Sequence, residues 1–295
     1  MSTKKHQWKM QMAPWALLTV AMAWGLSFVF MKDAIERQSV NNFLFTRFSL
    51  AAVVMVLIRP HVIKLMNRNL VLRGGAAGLF LGSGYIFQTL GLARTGAAIT
   101  GFVTGLYIVL TPLFASIILR QRINRFTWGC IAIATIGLAL LSIQGWSVGF
   151  GELLIFISAI FFALHIIALS KWSSGRDAYA MTVVQIAMCA LLAGIASIPG
   201  GYSAPPDLDV WYVIVFTAIF ATAIAFIIQT WSQAHMSATK VAVILTMEVV
   251  FAAIFAIIFG GERLTLQITI GGTLVVTAMY LIVMKEEKYA GHYGN

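Results

Sequence analysis

The stretch GLARTGA, residues 91–97, and the stretch SQAHMSA, residues 232–238, each precede an apolar run long enough to cross a bilayer. They begin 141 residues apart, and the same offset carries Ala93 to Ala234 and Gln88 to Gln229. Polar residues therefore recur at equivalent positions of two membrane segments. Such a repeat predicts a membrane protein that arose by duplication of one unit.

The composition indicates a chain that lies mostly inside the membrane. Hydrophobic residues make up 60% of the sequence, charged residues 10%, and the mean hydropathy is +0.90. Soluble domains carry about 25% charged residues, so this chain could not cover a water-exposed surface. The pattern predicts an all-α polytopic membrane protein with ten transmembrane helices. These helices are predicted at residues 13–31, 42–58, 74–93, 98–119, 126–143, 151–170, 179–198, 211–231, 238–259 and 267–284.

The net charge of +10 has a distribution that is typical of membrane proteins, and we predict no nucleic-acid partner. With ten spans and a cytoplasmic N-terminus, fifteen Lys and Arg residues fall on the cytoplasmic side and four on the opposite side. Those four are Lys32, Arg37, Arg94 and Arg263, while Arg47 lies within a span. This positive-inside bias predicts that both termini are cytoplasmic.

The repeat divides the ten spans into two units of five. Because five is odd, the second unit enters the membrane from the opposite face, and the two units are predicted to be inverted repeats. For the first two helices of each unit the offset is 138 residues, which pairs Trp24 with Phe162 and Arg47 with Gln185. The predicted organisation is a first repeat at 13–143, a second at 151–284, and cytoplasmic tails at 1–12 and 285–295.

Glycine and proline predict how some of these helices pack and bend. Gly74, Gly78 and Gly82 recur every four residues on the third span, a spacing that lets two helix backbones approach closely in lipid. Smooth glycine faces that let helices slide past each other are the alternative interpretation. Pro112 lies inside the fourth span and predicts a kink there.

Several short motifs carry a resemblance to a known family. Trp24-Gly25, Arg47, Gly91-Leu92-Ala93 and Gly261-Glu262-Arg263-Leu264 resemble the drug/metabolite transporter superfamily in order and spacing, and its ten-helix EamA-type branch most closely. The resemblance extends over most of the chain. It implies a carrier of the bacterial inner membrane, often an exporter of amino acids, other metabolites or drugs. Where that family often has Glu-Pro in the ninth span, this chain has Glu248-Val249.

The strongest candidate for a transport site is an acidic residue deep in the ninth span. Polar side chains in hydrocarbon are costly, so each is a functional candidate by default. Glu248 lies near the predicted midplane, where it could carry a proton or bind an amine. A protonated carboxyl group bonded to a neighbouring helix is the structural alternative. The 141-residue offset pairs Glu248 with Tyr107, which shares one helical face with Thr100, Thr104 and Thr111.

Further candidates follow from the same pairing. Gln88 and Gln229 are equivalent, and either a shared cavity or hydrogen bonds between helices would explain them. His165 is equivalent to Ser27 and is interpreted as a proton relay, a substrate ligand or a packing residue. Arg47 lies near its span's outer end, where it can snorkel to the surface, and a structural role is favoured for it, with an anion contact as the alternative. The predicted substrate-binding residues are Trp24, Tyr85, Gln88, Thr104, Tyr107, His165, Gln229 and Glu248.

The remaining function classes are distinguished by the motifs they require. The sequence lacks His-Glu-x-x-His, Gly-x-Ser-x-Gly and a phosphate-binding loop, so neither an enzyme nor transport driven by ATP is predicted. No channel filter sequence is recognised, and no cofactor is expected. A flippase or carrier of lipids or lipid-linked sugars stays open as the alternative to a carrier of small metabolites. Because aspartates are absent from the spans, protons are favoured over Na⁺ as the coupling ion.

Overall fold

The computed structural model describes residues 2–95, 97–142, 149–259 and 264–292, and these ranges form helices joined by turns, without β-strands. Ten helical segments follow one another along the described chain. They are α1 (Ser2–Arg37), α2 (Val40–Ile58), α3 (Arg68–Leu92), α4 (Ala97–Gly105 and Tyr107–Ile118), α5 (Arg125–Ser142), α6 (Phe150–Trp172), α7 (Ala178–Ser197), α8 (Leu208–Ala218, Ile219–Ile224 and Ala225–Gln233), α9 (Ala238–Leu245 and Met247–Phe259) and α10 (Leu266–His292).

The lengths of these segments match the predicted class. Seven of them are long and apolar enough to cross a membrane, and α4, α5 and α10 contain shorter apolar helices. The predicted all-α polytopic membrane architecture is therefore confirmed. Two stretches lie outside the described part of the chain. They are residues 261–263, which belong to the Gly-Glu-Arg-Leu motif, and residues 144–148, which connect the two repeats.

Aspartate caps fix two of the helix starts and tie them to distant helices. The Asp177 carboxylate accepts a hydrogen bond from the backbone N–H of Ala180 at 2.8 Å and binds Arg59 at 3.0 Å. The Asp207 carboxylate accepts from the backbone N–H of Val210 and binds Arg37 at 2.7 Å. Each carboxylate thus satisfies an N–H at a helix start and also links that start to an arginine of the first half.

The helices of the two halves pack against each other in a repeated pattern. Three pairs, α2 with α7, α4 with α9 and α5 with α10, each join a helix to its equivalent in the other half. In the same way α3 packs on α6 and α7, while α8 packs on α1 and α2. Each helix pair between the halves therefore has a counterpart in which the two halves exchange roles, as a two-fold relation requires.

The glycine stripe of α3 lies against α7, as predicted for close packing. A Cβ atom at Gly78 would lie 2.6 Å from the backbone oxygen of Gln185, and one at Gly82 would lie 2.8 Å from a methyl group of Leu192. Those distances leave no room for a side chain. The absence of Cβ atoms thus sets the separation between α3 and α7.

Two helices are broken near their middle, at almost equivalent positions. The break in α4 is at Leu106, with φ −61° and ψ −12°, and the break in α9 is at Thr246, with φ −63° and ψ −14°. Pro112 lies inside the helical segment Tyr107–Ile118, six residues after the break at Leu106, and the kink expected at Pro112 stays a prediction. The equivalent of Pro112 in α9 is Ala253, so proline is not what both breaks have in common.

Helix α8 contains one further irregularity. Among the described residues, its equivalent helix α3 has no such feature. Residues Ile219–Ile224 form a π-helical segment between two α-helical parts. A π segment widens the turn and frees backbone carbonyl groups from their usual partners, so other donors can reach them. The equivalent residues of α3, 78–83, are regular α-helix.

Candidate functional site

A cavity lies between the two halves, with about 600 Å³ of empty space that includes its opening to the outside. All eight side chains predicted for the substrate site line it: Trp24, Tyr85, Gln88, Thr104, Tyr107, His165, Gln229 and Glu248. Nine further residues complete the lining: Ser27, Phe28, Met31, Arg47, Leu81, Phe162, Ile166, Phe226 and Leu245. Contact of these residues with a substrate stays a prediction.

The wall of this cavity repeats the two-fold relation of the sequence. Seven of the lining positions in the first half have their equivalents among the lining positions of the second half. The pairs are Trp24 and Phe162, Ser27 and His165, Phe28 and Ile166, Tyr85 and Phe226, Gln88 and Gln229, Thr104 and Leu245, and Tyr107 and Glu248. The cavity is therefore formed jointly by the two repeats and does not lie inside either one.

The helix breaks bring Tyr107 and Glu248 to this wall. Tyr107 is the first residue after the break in α4, and Glu248 is the second residue after the break in α9. Glu248 makes no hydrogen bond or ion pair with any residue that the structure describes. The residue is half-buried and lines the cavity. Because it lies in the first turn of the segment Met247–Phe259, the helix dipole favours a negative charge there.

The two equivalent glutamines have different partners. Gln88 donates from Nε2 to Oγ1 of Thr104 at 3.2 Å, which links α3 to α4. Gln229 donates to Oε1 of Gln233 at 3.1 Å, and Gln233 donates to the backbone oxygen of Ile166 at 2.7 Å. Within the described chain Oε1 of Gln229 has no hydrogen-bond partner. Gln88 thus combines the two predicted roles, since it lines the cavity and bonds to another helix, whereas Gln229 lines the cavity and bonds within its own helix.

His165 is held at the wall by a buried amide. Its Nε2 lies 2.8 Å from Oε1 of Gln185, whose own NH₂ group donates to Met181 O and to Thr230 Oγ1. Because Oε1 can only accept, Nε2 of His165 is the donor and carries the proton. The Phe226 ring packs edge-on against the imidazole, with the ring centres 6.0 Å apart.

Arg47 is buried at the cavity wall and does not snorkel to the surface. Its side chain is 1% exposed. Nε donates to Oγ1 of Thr222 at 2.8 Å, Nη2 to the backbone oxygen of Ala221 at 3.3 Å, and Nη1 to Sδ of Met31 at 3.3 Å. The guanidinium turns inward because the π segment of α8 provides these oxygen acceptors.

Aromatic rings surround the same guanidinium group. Its central carbon lies 5.5 Å from the ring centre of Phe48 and 5.4 Å from that of Tyr85, both within the range of cation–π attraction. Trp24 completes the enclosure by donating from Nε1 to the backbone oxygen of Ala221 at 2.8 Å. Trp24 and Arg47, both from the first half, therefore bind the same carbonyl group of α8.

The predicted substrate site included neither Arg47 nor the apolar rings of Phe162 and Phe226, which line the cavity. Phe162 is equivalent to Trp24 and Phe226 to Tyr85, so the 138- and 141-residue offsets are the signal that could have found both. The four residues predicted to share one face of α4 have different surroundings. Thr104 and Tyr107 line the cavity, whereas Thr100 and Thr111 are buried and do not line it. Among the described residues, no group of three or more His, Cys, Asp or Glu side chains could hold a metal ion.

Two known proteins that are described as transporters have similar sequences. The chain is 28% identical to an uncharacterized transporter of Archaeoglobus fulgidus over 271 residues, which cover 91% of this chain and 85% of that protein. It is 26% identical to the uncharacterized transporter YxxF of Bacillus subtilis over 223 residues, covering 74% of this chain and 71% of the relative.

A solved crystal structure has the same fold. It superposes with a TM-score of 0.78 at 16% sequence identity and covers 92% of this chain and 97% of the solved one. In addition, the sequence matches the EamA-like transporter family twice, over residues 11–143 and over residues 149–284. The two matches together cover nearly all the residues that form the helices and the cavity. The chain belongs to the EamA-like transporter family.

Proposed function

We propose that this membrane transporter is a secondary carrier of small organic metabolites, and that the cavity between its halves is the substrate site. The observation that carries this proposal is the two-fold construction of the cavity wall. A site at the interface of two repeats can be opened to either side when the repeats exchange conformations, which is the principle of alternating access. We propose that α4 and α9 bend at their breaks during such a movement. Tyr107 and Glu248 lie directly beside these two breaks.

Glu248 is the group proposed to couple transport to protons. It is the acidic residue of the cavity wall and has no partner among the described residues that would hold it in one charge state. The other titratable or charged side chains that line the cavity are Arg47, Tyr85, Tyr107 and His165. A carboxyl group in this position can release a proton to one side and then bind an amine or a proton from the other.

The cellular setting is proposed from the resemblance and from the charge distribution. We place the carrier in the bacterial inner membrane with both termini in the cytoplasm, and export is the proposed direction. The proposed partners are the bilayer, a small-molecule substrate and protons.

The test is counterflow into proteoliposomes that contain the purified protein. Vesicles loaded with pooled unlabelled amino acids, amines or nucleobases take up the labelled pool, with and without a pH gradient. We expect uptake of one pool that follows the gradient and is lost in Glu248→Gln. The matched control is Glu36→Gln, because Glu36 is exposed at the end of α1 and remote from the cavity.

Each alternative outcome changes a different part of the proposal. Exchange at a rate that does not depend on the pH gradient would show that transport is not coupled to protons. The proposal that the protein is a carrier would still stand. A lack of counterflow with every pool would contradict a small-metabolite carrier and favour the lipid or lipid-linked sugar alternative. Against that alternative, Arg47 is the single Arg or Lys among the residues that line the cavity, whereas a site for lipid phosphates would use several.

A further inference from the structure

We infer that Arg73 at the start of α3 and Arg176 in the α6–α7 turn, residues 173–177, together bind the phosphate headgroup of an anionic phospholipid. This site lies at the end of the molecule that is predicted to face the cytoplasm. The lipid would be a fixed partner of the protein and not its cargo, because neither arginine lines the cavity. The inference therefore does not depend on the substrate or on the coupling ion of the proposed carrier.

The first observation is that the two guanidinium groups are neighbours. Nη2 of Arg176 donates to Oδ1 of Asn69 at 3.2 Å, and Arg73 follows Asn69 by one turn on the same face of α3. Partial burial lowers the pKa of Arg176, and the positive charge of Arg73 lowers it further. Two like charges in this arrangement repel each other, so an anion that contacts both is favourable.

The second observation is that no acidic side chain neutralises this pair. None of the ion pairs among the described residues includes Arg73 or Arg176. Asp177 is next to Arg176 in the chain, but its carboxylate binds Arg59 and caps the start of α7. Arg176 donates instead to neutral acceptors, namely the Asn69 amide and backbone carbonyl groups. The pair is thus left with an excess positive charge that a ligand can neutralise.

The third observation is that the fold does not require this charge. The two-fold relation of the repeats pairs Arg176 with Gln38 and Arg73 with Ile214, at the opposite end of the molecule. The arginine found there, Arg37, is neutralised by two aspartates. An arginine pair without a counter-ion is therefore particular to the predicted cytoplasmic end, where basic side chains meet the anionic headgroups of the inner leaflet.

The surface beside the pair indicates a lipid as the source of the phosphate. Phe80 lies two turns after Arg73 on α3, and with Trp172 it packs against the small apolar cluster between α3, α6 and α7. Leu72 and Leu79, also on α3, are 61% and 45% exposed. A headgroup held by the arginines would place its acyl chains along this apolar surface. Guanidinium groups suit such a headgroup because each can bind two phosphate oxygens at once.

The test measures how lipids change the thermal stability of the purified protein in neutral detergent. Phosphatidylglycerol, phosphatidylcholine and soluble glycerol 3-phosphate are compared at equal concentration, and native mass spectrometry counts the lipids that stay bound. We expect phosphatidylglycerol to raise the apparent Tm by at least about 3 °C, whereas the other two probes change it little. In the double variant Arg73→Gln, Arg176→Gln we expect most of this rise, and the bound lipid, to be lost.

A control with the same loss of charge separates a specific site from general attraction. Arg122→Gln combined with Arg125→Gln removes two exposed arginines from the same end of the molecule, before α5, which packs on α4, α9 and α10. We expect this variant to keep the rise with phosphatidylglycerol. An equal loss of the rise in both double variants would overturn the inference, because any two positive charges at this end would then suffice.

Two further variants separate lipid binding from a purely structural role of the arginines. Asn69→Ala removes an acceptor of Arg176 but keeps both positive charges, and we expect it to keep the lipid effect. If Asn69→Ala abolishes that effect as completely as the loss of both arginines does, Arg176 only ties the turn to α3 and the inference fails. Arg73→Lys with Arg176→Lys is expected to retain part of the rise, and it replaces the glutamine variant if that variant does not fold.

Two results with the native protein would also contradict the inference. One is a rise in Tm with phosphatidylcholine that equals the rise with phosphatidylglycerol, because the anionic charge would then be irrelevant. The other is an equal rise with glycerol 3-phosphate, because a soluble phosphate would then be sufficient and the lipid assignment would be wrong. Counterflow measures the proposed function separately, so neither result affects it.

Discussion

Gly78 marks the closest approach of α3 and α7, and a single added methyl group tests how much that approach matters. A Cβ atom there would lie within 2.8 Å of the backbone of Gln185, which has no freedom to move aside. We expect Gly78→Ala to destabilise the fold by about 1–3 kcal/mol through overpacking. The measurement is the apparent Tm in detergent, and the expected change is a fall of several degrees.

The control for this substitution is Gly129→Ala on α5, where a Cβ atom would meet no other atom within 4 Å. Alanine favours helix formation over glycine, so this variant should be as stable as the native protein or slightly more so. Equal losses of Tm in the two variants would contradict the packing role of the α3 stripe.

At the scale of residues, the sequence predicted much of the cavity wall but placed its arginine, Arg47, outside the predicted substrate site. Glu248, Tyr107 and Gln229 could be found because polar residues at equivalent positions of two spans stand out against hydrocarbon. The inward direction of Arg47 could not be predicted, because its acceptors on α8 lie 174 and 175 residues away in the chain. Its position near the end of α2 suggested the surface, while its contacts determine that it points inward.

At the scale of elements, the π segment of α8 is held by donors from the first half. The bond from Nε of Arg47 to Thr222 is the one that a side-chain substitution can remove at nearly constant volume. We expect Thr222→Val to cost about 1–3 kcal/mol, because it leaves a buried charged donor without an acceptor. Thermal unfolding measures this loss as a decrease in the apparent Tm.

Thr217→Val on the same helix is the matched comparison. Thr217 is equally buried, but its hydroxyl donates only to carbonyl groups of its own helix, Val213 and Ile214. Such bonds contribute little to stability in a helix. A Thr217→Val variant that loses as much stability as Thr222→Val would show that the bond to Arg47 is not the important one.

The irregular elements were beyond what the sequence could predict. Hydropathy and length identify a helix as a whole, but neither Leu106 nor Thr246 belongs to a residue type that breaks helices. Pro112 is such a residue, and yet the break in α4 lies six residues before it. The π segment Ile219–Ile224 carries no pattern of its own, since the bonds that accompany it come from α1 and α2.

At the scale of the whole molecule, the charge bias predicts which loops face the cytoplasm. The loop between α6 and α7 is predicted to be cytoplasmic and the one between α7 and α8 to lie outside. Cys130 and Cys189 are both buried, so the native chain gives little background in thiol labelling. We expect a membrane-impermeant maleimide to label Ala204→Cys in intact cells, and Ser174→Cys only after the membrane is permeabilised.

Both introduced positions are exposed, so access depends on the side of the membrane and not on burial. Labelling of Ser174→Cys in intact cells would reverse the proposed orientation of the chain. The fold class itself was predictable at this scale, because ten apolar runs and a repeat offset are properties of the whole sequence. The packing of equivalent helices, such as α5 on α10, required the three-dimensional structure.

The paired construction of the cavity also has a consequence for how a ligand sits in it. A ligand on an exact two-fold axis would have two poses of equal energy, related by a half-turn, and neither end would be distinguished. Of the seven pairs, only Gln88 and Gln229 are still identical, while the other six have diverged. That divergence removes the degeneracy. We therefore expect an ancestor with identical halves to have been indifferent to the orientation of the proposed substrate, and this chain to distinguish one end of it from the other.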